Sequence, residues 1–199
     1  MTMTETATSP ADEFREIGGH FGDLCANARI DSWDDQSPVE EWKARDVVRH
    51  LVEWFPAFLE HGAGVVLTPG PSVDEDPVAA WAHLHEQVLD LLEDPASADK
   101  VLSNPHIGDI PLLQAVSQFF TSDVFQHSWD LAKATGQDAT LDPDRCAAML
   151  AGAEPYEDAM RQSGQYGPRV EVPEDADAQT KFIAFIGRDP GWRPDSSAR

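Results

Sequence analysis

The sequence predicts an all-α protein, an antiparallel four-helix bundle with a short C-terminal helical extension. Four long segments carry apolar residues at spacings of three and four, which is the period of one helix face. Proline opens the first and the fourth of these segments, and glycine follows the fourth, as is typical of helix ends. No segment alternates convincingly with period two, and the 199 residues contain no internal repeat.

The first helix is expected to begin at Pro10 with Ser9 as its N-cap. It follows a polar stretch, residues 1–9, that is predicted to be a disordered tail. One helical stripe then continues through Phe14, Ile17, Phe21, Leu24 and Ala28. An acidic loop over residues 31–43 carries Trp33 and Trp42 and leads to the second helix.

The second helix is expected to span about Ala44 to Ala63, and Pro56 inside it predicts a kink. Its inward stripe comprises Val47, His50 or Leu51, Trp54 and Phe58. A third helix, from Val78 to Leu92, should turn inward Trp81, Leu84 or His85, Val88 and Leu92.

The fourth helix is predicted to run from Pro111 to about Thr135, where Gly136 stops it. Its stripe contains Leu112, Val116, Phe119 or Phe120, Asp123, His127, Leu131 and Ala134. Further helices are expected near residues 143–162 and 176–187. We therefore divide the chain into the tail at 1–9, the bundle at 10–136, and a C-terminal helical extension at 137–199 that packs on the bundle.

The chain is strongly acidic, with 36 Asp and Glu against 14 Lys and Arg, a net charge of −22 and a pI of about 4.4. Binding to phosphate backbones or anionic membrane surfaces needs clustered basic residues, so neither nucleic acid nor membrane is an expected partner. The acidity itself favours solubility.

The expected compartment is the cytoplasm. No segment approaches the roughly 20 consecutive apolar residues of a membrane span, and the start MTMTETATSP lacks the basic and apolar parts of a signal peptide. Cys25 and Cys146 are far apart and form no CxxC motif, so they are expected to be reduced core residues.

Asp123 and His127 stand four residues apart in the predicted fourth helix, so they lie about 40° apart around its axis and share a face. The rest of that face is apolar, and a buried charge without a partner is costly. One interpretation is that the two side chains satisfy each other, or that Asp123 caps a local group.

His50 lies on the inward side of the predicted second helix, three residues after Val47 and four before Trp54. Two helices thus each bring metal-ligating residue types into an apolar stripe. A divalent metal bound by His50, Asp123 and His127 would satisfy all three side chains, with zinc expected and nickel or another divalent ion as alternatives. Three protein ligands would leave a position for water or substrate.

Other polar residues have simpler interpretations. His83 and His85 form an HxH pair, but residues two apart on a helix face nearly opposite ways. Arg45 and Arg49 flank His50 and either receive an anionic substrate or form surface salt bridges. Asp130 is expected to pair with a basic residue.

Three stretches carry a resemblance to a known family: DVVRHLVEW around His50, DVFQHSWDLAKATGQD around His127, and YGPRVEVPEDADAQTKFIAFIGRDPGW near the end. They resemble actinobacterial metal-binding proteins of the DinB-like superfamily, related to the N-terminal domain of mycothiol-dependent maleylpyruvate isomerase. The resemblance covers residues 11–194 and implies that His50, Asp123 and His127 are the metal ligands. The isomerase has Glu where this chain has Asp123, and its C-terminal part differs.

The resemblance implies an enzyme in which an open metal site binds a thiol, here mycothiol, and presents it to an electrophile for transfer or isomerisation. The expected partners are this small-molecule thiol or an electrophilic substrate, and a homodimer is compatible with the sequence. The alternative is a non-catalytic metal-binding bundle with a structural or sensing role.

Overall fold

The computed structural model describes residues 8–194 and is predominantly helical, with one small antiparallel sheet. The chain divides into two compact units. The first contains the residues up to Asn27 together with Arg45–Phe125, and the second contains Ala28–Ala44 together with the residues from Gln126 onward. Of the predicted tail, residues 1–7 lie outside the described residues. None of the helices that the structure describes has the length and apolar content needed to cross a membrane.

Three long helices of the first unit match the predicted ones closely: α1 is Pro10–Asn27, α2 is Ala44–Ala63 and α3 is Pro77–Glu93. Ser9 caps α1 as predicted, because its hydroxyl oxygen accepts a hydrogen bond from the Asp12 amide at 3.1 Å. Asp76 caps α3 in the same way. Both helices therefore begin where a short polar side chain satisfies an amide of the first turn.

Helix α1 packs along α3 through aromatic side chains. The rings of Phe21 and Trp81 lie 4.5 Å apart, and the Trp81 indole N–H donates to the Gly18 carbonyl at 3.2 Å. A Cβ at position 18 would lie 2.6 Å from Cδ2 of His85 in α3, so a glycine there lets the two helices approach. Proximity of the two helices thus depends on a glycine that sequence propensity alone marks as unfavourable in a helix.

The buried face of α2 is rotated slightly from the predicted stripe. Its most buried residues are Val47, Val48, Leu51, Phe55 and Leu59. His50 and Trp54 lie at the edge of this face and are only partly buried. The expectation that His50 points into the core was therefore wrong in detail, since apolar residues at adjacent positions occupy the interior. Pro56 lies inside α2 but does not end it.

A two-stranded hairpin corrects the all-α prediction. Strand β1, Val101–Asn104, pairs antiparallel with β2, Gly108–Pro111. The sequence did not predict this hairpin because each strand has only four residues, and only Leu102 of β1 is fully buried. The Asn104 side chain accepts from the His106 amide at 2.9 Å and stabilises the connecting turn.

The predicted fourth helix is continuous but not uniform. It consists of α4, Leu112–Ala115, a π-helical segment, Val116–Thr121, and α5, Ser122–Thr135. Each π-helical turn holds more residues than an α-turn, so this segment shifts the faces of the residues that follow it. Gly136 ends α5 with a φ of +72°, as predicted from its lack of a side chain.

The second unit carries the C-terminal helices α6, Pro143–Ala153, α7, Glu157–Gln162, and α8, Ala178–Phe185. Helix α6 packs against α8. The sequence predicted one helix over 143–162, but a 3-10 turn at Glu154–Tyr156 divides it. Pro155 explains the division, because proline has no amide proton for the helical hydrogen bond.

Candidate metal centre

Asp123 stands at the start of α5, directly after the π-helical segment. Its Oδ2 accepts a hydrogen bond from the Trp54 indole N–H at 2.9 Å and lies 3.0 Å from His50 Nε2. The side chain is 14% exposed and that of His50 is 31% exposed. Asp123 is thus held by two groups of α2 without being cut off from solvent.

The simpler sequence interpretation paired Asp123 with His127. The structure also gives Asp123 a contact with an imidazole of the second helix, that of His50. A carboxylate has two oxygens with four lone-pair positions, so it can accept from several groups at once.

His127 lies one turn after Asp123 on the same helix, and its side chain is only 4% exposed. Its Nδ1 is 2.9 Å from Oδ2 of Asp130. A carboxylate can only accept, so the proton of the neutral imidazole resides on Nδ1 and the lone pair on Nε2. That tautomer is the one that coordinates a metal through Nε2.

Asp130 is fully buried and pairs with Arg188, as the sequence suggested for a basic partner. Burial acts to raise the pKa of this carboxyl, but the positive charge of Arg188 and the hydrogen bond with His127 outweigh it and hold the pKa of Asp130 below its ordinary value. Asp130 is accordingly ionised and remains a hydrogen-bond acceptor for His127.

Trp42 stacks on His127, with ring centroids 5.9 Å apart and an interplanar angle of 23°. The stacking restricts rotation of the imidazole about its side-chain bonds. Trp129, also on α5, is buried. Two aromatic or ionic neighbours, Trp42 and Asp130, thus fix the plane and the tautomer of His127.

One ligand atom from each of His50, Asp123 and His127 lies within 4.8 Å of the other two. Imidazole nitrogen and carboxylate oxygen are donors that zinc and other divalent first-row metals accept. The Trp54 and Asp130 hydrogen bonds orient two of the three ligands, as is usual around metal ligands. The side chains present therefore fit a divalent ion.

The remaining histidines are used differently. His83 Nε2 lies 3.0 Å from the Thr68 carbonyl oxygen, whereas the ring of His85 packs 5.2 Å from that of Phe14. The two rings of the HxH pair therefore have separate surroundings, as predicted. Three further histidines are exposed: His20, His61 and His106.

The arginines beside His50 form ion pairs. Arg49 contacts Asp46 at 3.2 Å and Asp74 at 2.6 Å, and Arg45 lies 3.9 Å from Asp74. These contacts favour the salt-bridge interpretation over an anion-binding one. Glu53, one turn after His50, is exposed.

A cavity of about 490 Å³ lies beside α2 and α3, and its lining includes Val52, Glu53, Pro56, His83 and Gln87. Neither His50 nor Asp123 lines it. The cavity therefore does not include these two candidate ligands.

Sequence reasoning missed the roles of Trp54 and Arg188. Trp54 was assigned to an apolar stripe, although a partly buried indole N–H needs an acceptor and Asp123 stood in the facing helix. Arg188 lies 58 residues from Asp130, and nothing in their spacing predicts the pair.

Comparison with known proteins finds relatives of limited similarity. The chain is 28% identical over 174 residues to the uncharacterized proteins Rv0738 and MT0763 from two strains of Mycobacterium tuberculosis. The aligned region covers 84% of this chain and 91% of each relative. No family model and no solved structure matches the chain.

Proposed function

We propose that the protein is a divalent-metal-binding member of the DinB-like superfamily, built on a four-helix bundle, in which His50, Asp123 and His127 hold the ion. The observation that carries the proposal is the approach of one ligand atom from each of these residues to within 4.8 Å of the others. The burial of His127 and its hydrogen bond to Asp130 support it, because a core imidazole with a fixed tautomer is prepared for coordination.

The activity we propose is a thiol-dependent transferase or isomerase reaction with mycothiol as the thiol. When bound, a divalent ion with an open position lowers the pKa of a coordinated thiol. His50 and Asp123 are partly exposed, so a small molecule can reach this side of the centre from solvent. Mycothiol is the thiol implied by the resemblance to actinobacterial proteins of this superfamily.

The second candidate is a metal-binding protein without catalysis, in which the ion has a structural or sensing role. A specific observation favours it: the contacts described around the three ligands all position them. Trp54 orients Asp123, and Trp42 and Asp130 orient His127. None of these contacts offers an acid or a base to a substrate.

The first experiment measures the metal content of the purified protein by elemental analysis and its zinc affinity by chelator competition. His127→Ala should lose the metal while its far-UV circular dichroism keeps the helical signal, because apolar stripes hold the helices. The matched control is His83→Ala, which removes an imidazole that contacts Thr68 instead. Full metal occupancy in His127→Ala would contradict the proposed centre.

A thiol titration separates the two candidate functions. The zinc form and the His127→Ala variant are each titrated with mycothiol, and cobalt substitution reports thiolate coordination by absorption. The enzyme hypothesis expects binding to the metal form only. A metal-loaded wild type that binds neither mycothiol nor another small thiol would favour the non-catalytic role.

A further inference from the structure

The segment after α8 turns sharply at Gly187, and this turn places Arg188. Gly187 has a φ of +84°, and a Cβ there would lie 2.9 Å from the backbone of Gly167. The Arg188 amide donates back to the Ile183 carbonyl at 3.1 Å, which closes the end of the helix. Position 187 therefore accepts only glycine without strain, and the direction of the next residue follows from it.

Arg188 binds the carboxylate of Asp130 through two nitrogens. Its Nε lies 3.2 Å from Oδ1 and its Nη2 lies 3.2 Å from Oδ2, while Nη1 donates to the Ile186 carbonyl. The Arg188 side chain is 13% exposed and that of Asp130 is fully buried. Such a two-pronged pair fixes the plane of the carboxylate as well as its charge.

The carboxylate plane in turn directs one oxygen at His127. The Oδ2 that accepts from Arg188 also lies 2.9 Å from His127 Nδ1. The opposite tautomer would set an imidazole lone pair against a carboxylate lone pair, which is repulsive. Three residues thus form a chain of contacts from the segment after α8 to the imidazole ring.

We propose that the segment after α8 contributes to the metal centre through Arg188. Arg188 holds Asp130 as an oriented carboxylate, and Asp130 keeps His127 in the tautomer whose Nε2 lone pair faces the ion. The proposal rests on the proposed metal centre, which it deepens. It makes Asp130 and Arg188 positioning residues and gives the C-terminal extension a role in metal affinity.

A purely structural ion pair would have a different consequence. Its loss would lower the stability of the second unit but leave the tautomer of His127 and the intrinsic metal affinity of the folded fraction unchanged. Loss of a positioning pair changes both the tautomer of His127 and the metal affinity of the folded protein. The tautomer and the affinity are therefore the quantities to measure, alongside stability.

The test uses the full chain, with ring nitrogens of histidine observed by ¹⁵N NMR in the metal-free protein and zinc affinity obtained by chelator competition. Wild-type His127 should carry its proton on Nδ1. Asp130→Asn and Arg188→Gln should each weaken zinc binding by about 10- to 100-fold, the range seen when a group behind a ligating histidine is lost.

Two further variants guard against a folding defect. Arg188→Lys keeps the positive charge but cannot form the bidentate pair with Asp130, so it should give an intermediate loss of zinc affinity. Arg169→Gln is the matched control, because Arg169 pairs with Glu154 and Glu157 in the same unit and has no contact with Asp130 among the described ones. Its zinc affinity should stay within about twofold of wild type, below the smallest loss expected for a positioning group.

The outcomes separate this inference from the proposed function. A wild-type His127 protonated on Nε2 in the metal-free protein overturns the inference, whatever the variants do. Zinc affinity that collapses in His127→Ala but is unchanged in folded Arg188→Gln also overturns it, while the metal centre stands. Unchanged affinity in His127→Ala overturns the metal centre itself and this role with it.

Discussion

Helices α3 and α5 each carry a pair of residue types that ligate metals, and the two pairs have different environments. On α3, His83 and His85 are two residues apart, and their rings contact Thr68 and Phe14 respectively. On α5, Asp123 and His127 are four residues apart and lie on one face. Spacing along a helix thus decides whether two ligand types can serve one site.

The two regions also differ in what surrounds the imidazoles. The buried Nε2 of His85 has no hydrogen-bond partner among the described residues, whereas His127 has Asp130 behind its ring. A histidine packed among aromatic rings is a space-filling residue, and one with a carboxylate behind it is prepared for a ligand. The hydrogen-bond partner of the ring nitrogen that does not coordinate therefore indicates a metal ligand better than the presence of a histidine alone.

The largest expected effect compares the two pairs directly by their zinc affinity. Asp123→Ala should weaken zinc binding by more than about 100-fold, because it removes a ligand and not only a group behind one. His85→Ala should leave the affinity within about twofold of wild type, below the range of such supporting effects. Chelator competition on both variants checks this, and equal losses would remove the distinction between the helices.

A smaller effect is expected where His85 packs against α1. A Cβ added at Gly18 would lie 2.6 Å from Cδ2 of His85, whereas one at Gly19 meets nothing within 4 Å. Gly18→Ala should therefore destabilise the protein by about 1–3 kcal/mol through overpacking. Its matched control, Gly19→Ala, should stabilise it by about 0.5–1 kcal/mol, because alanine favours the helix.

Urea unfolding midpoints of the two glycine variants give the comparison. Opposite signs are expected at neighbouring positions of one helix. If Gly18→Ala were as stable as Gly19→Ala, the ring of His85 would not fill the space beside α1, and its packing role would be wrong.

The smallest effect is a pH dependence that belongs to His85. Burial, and then the positive charge of Arg15, lower the pKa of His85 below its ordinary value of 6.5. As the pH falls below 6.5, the unfolded state takes up this proton before the folded state does, so stability decreases. The stability contributed by neutral His85 is fully present above pH 6.5. Below that pH, the free energy of unfolding decreases by at most about 1.4 kcal/mol per pH unit because of this residue.

Unfolding free energies measured between pH 7.5 and 5.5 test this dependence. His85→Gln should show a shallower decrease than wild type over that range, because glutamine has no proton to gain. Identical slopes in the two proteins would show that His85 does not contribute to the acid sensitivity.

Local rules predicted the helices best. The limits of α1, α2 and α3 agree with the sequence to within about two residues, because caps and the three-and-four spacing act within a few turns. The hairpin and the π-helical segment escaped those rules. A four-residue strand has too few residues to show a period, and a π-turn depends on the packing of neighbouring elements.

The candidate site was predictable in part. The sequence named His50, Asp123 and His127, since polar ligand types inside apolar stripes are conspicuous. It placed His50 too deep, because a stripe does not distinguish the centre of a buried face from its edge. Trp54 was noted only as an apolar residue, although its N–H donates to Asp123.

The sequence by itself determined the helix starts and stops, the acidity, and the set of residues with metal-ligating chemistry, because these depend on residue identity and short spacing. Only the tertiary structure decided which partner each polar group meets. Arg188 and Asp130 are 58 residues apart and approach because the chain turns at Gly187. Contacts across such distances follow from packing of whole elements, and no local pattern encodes them.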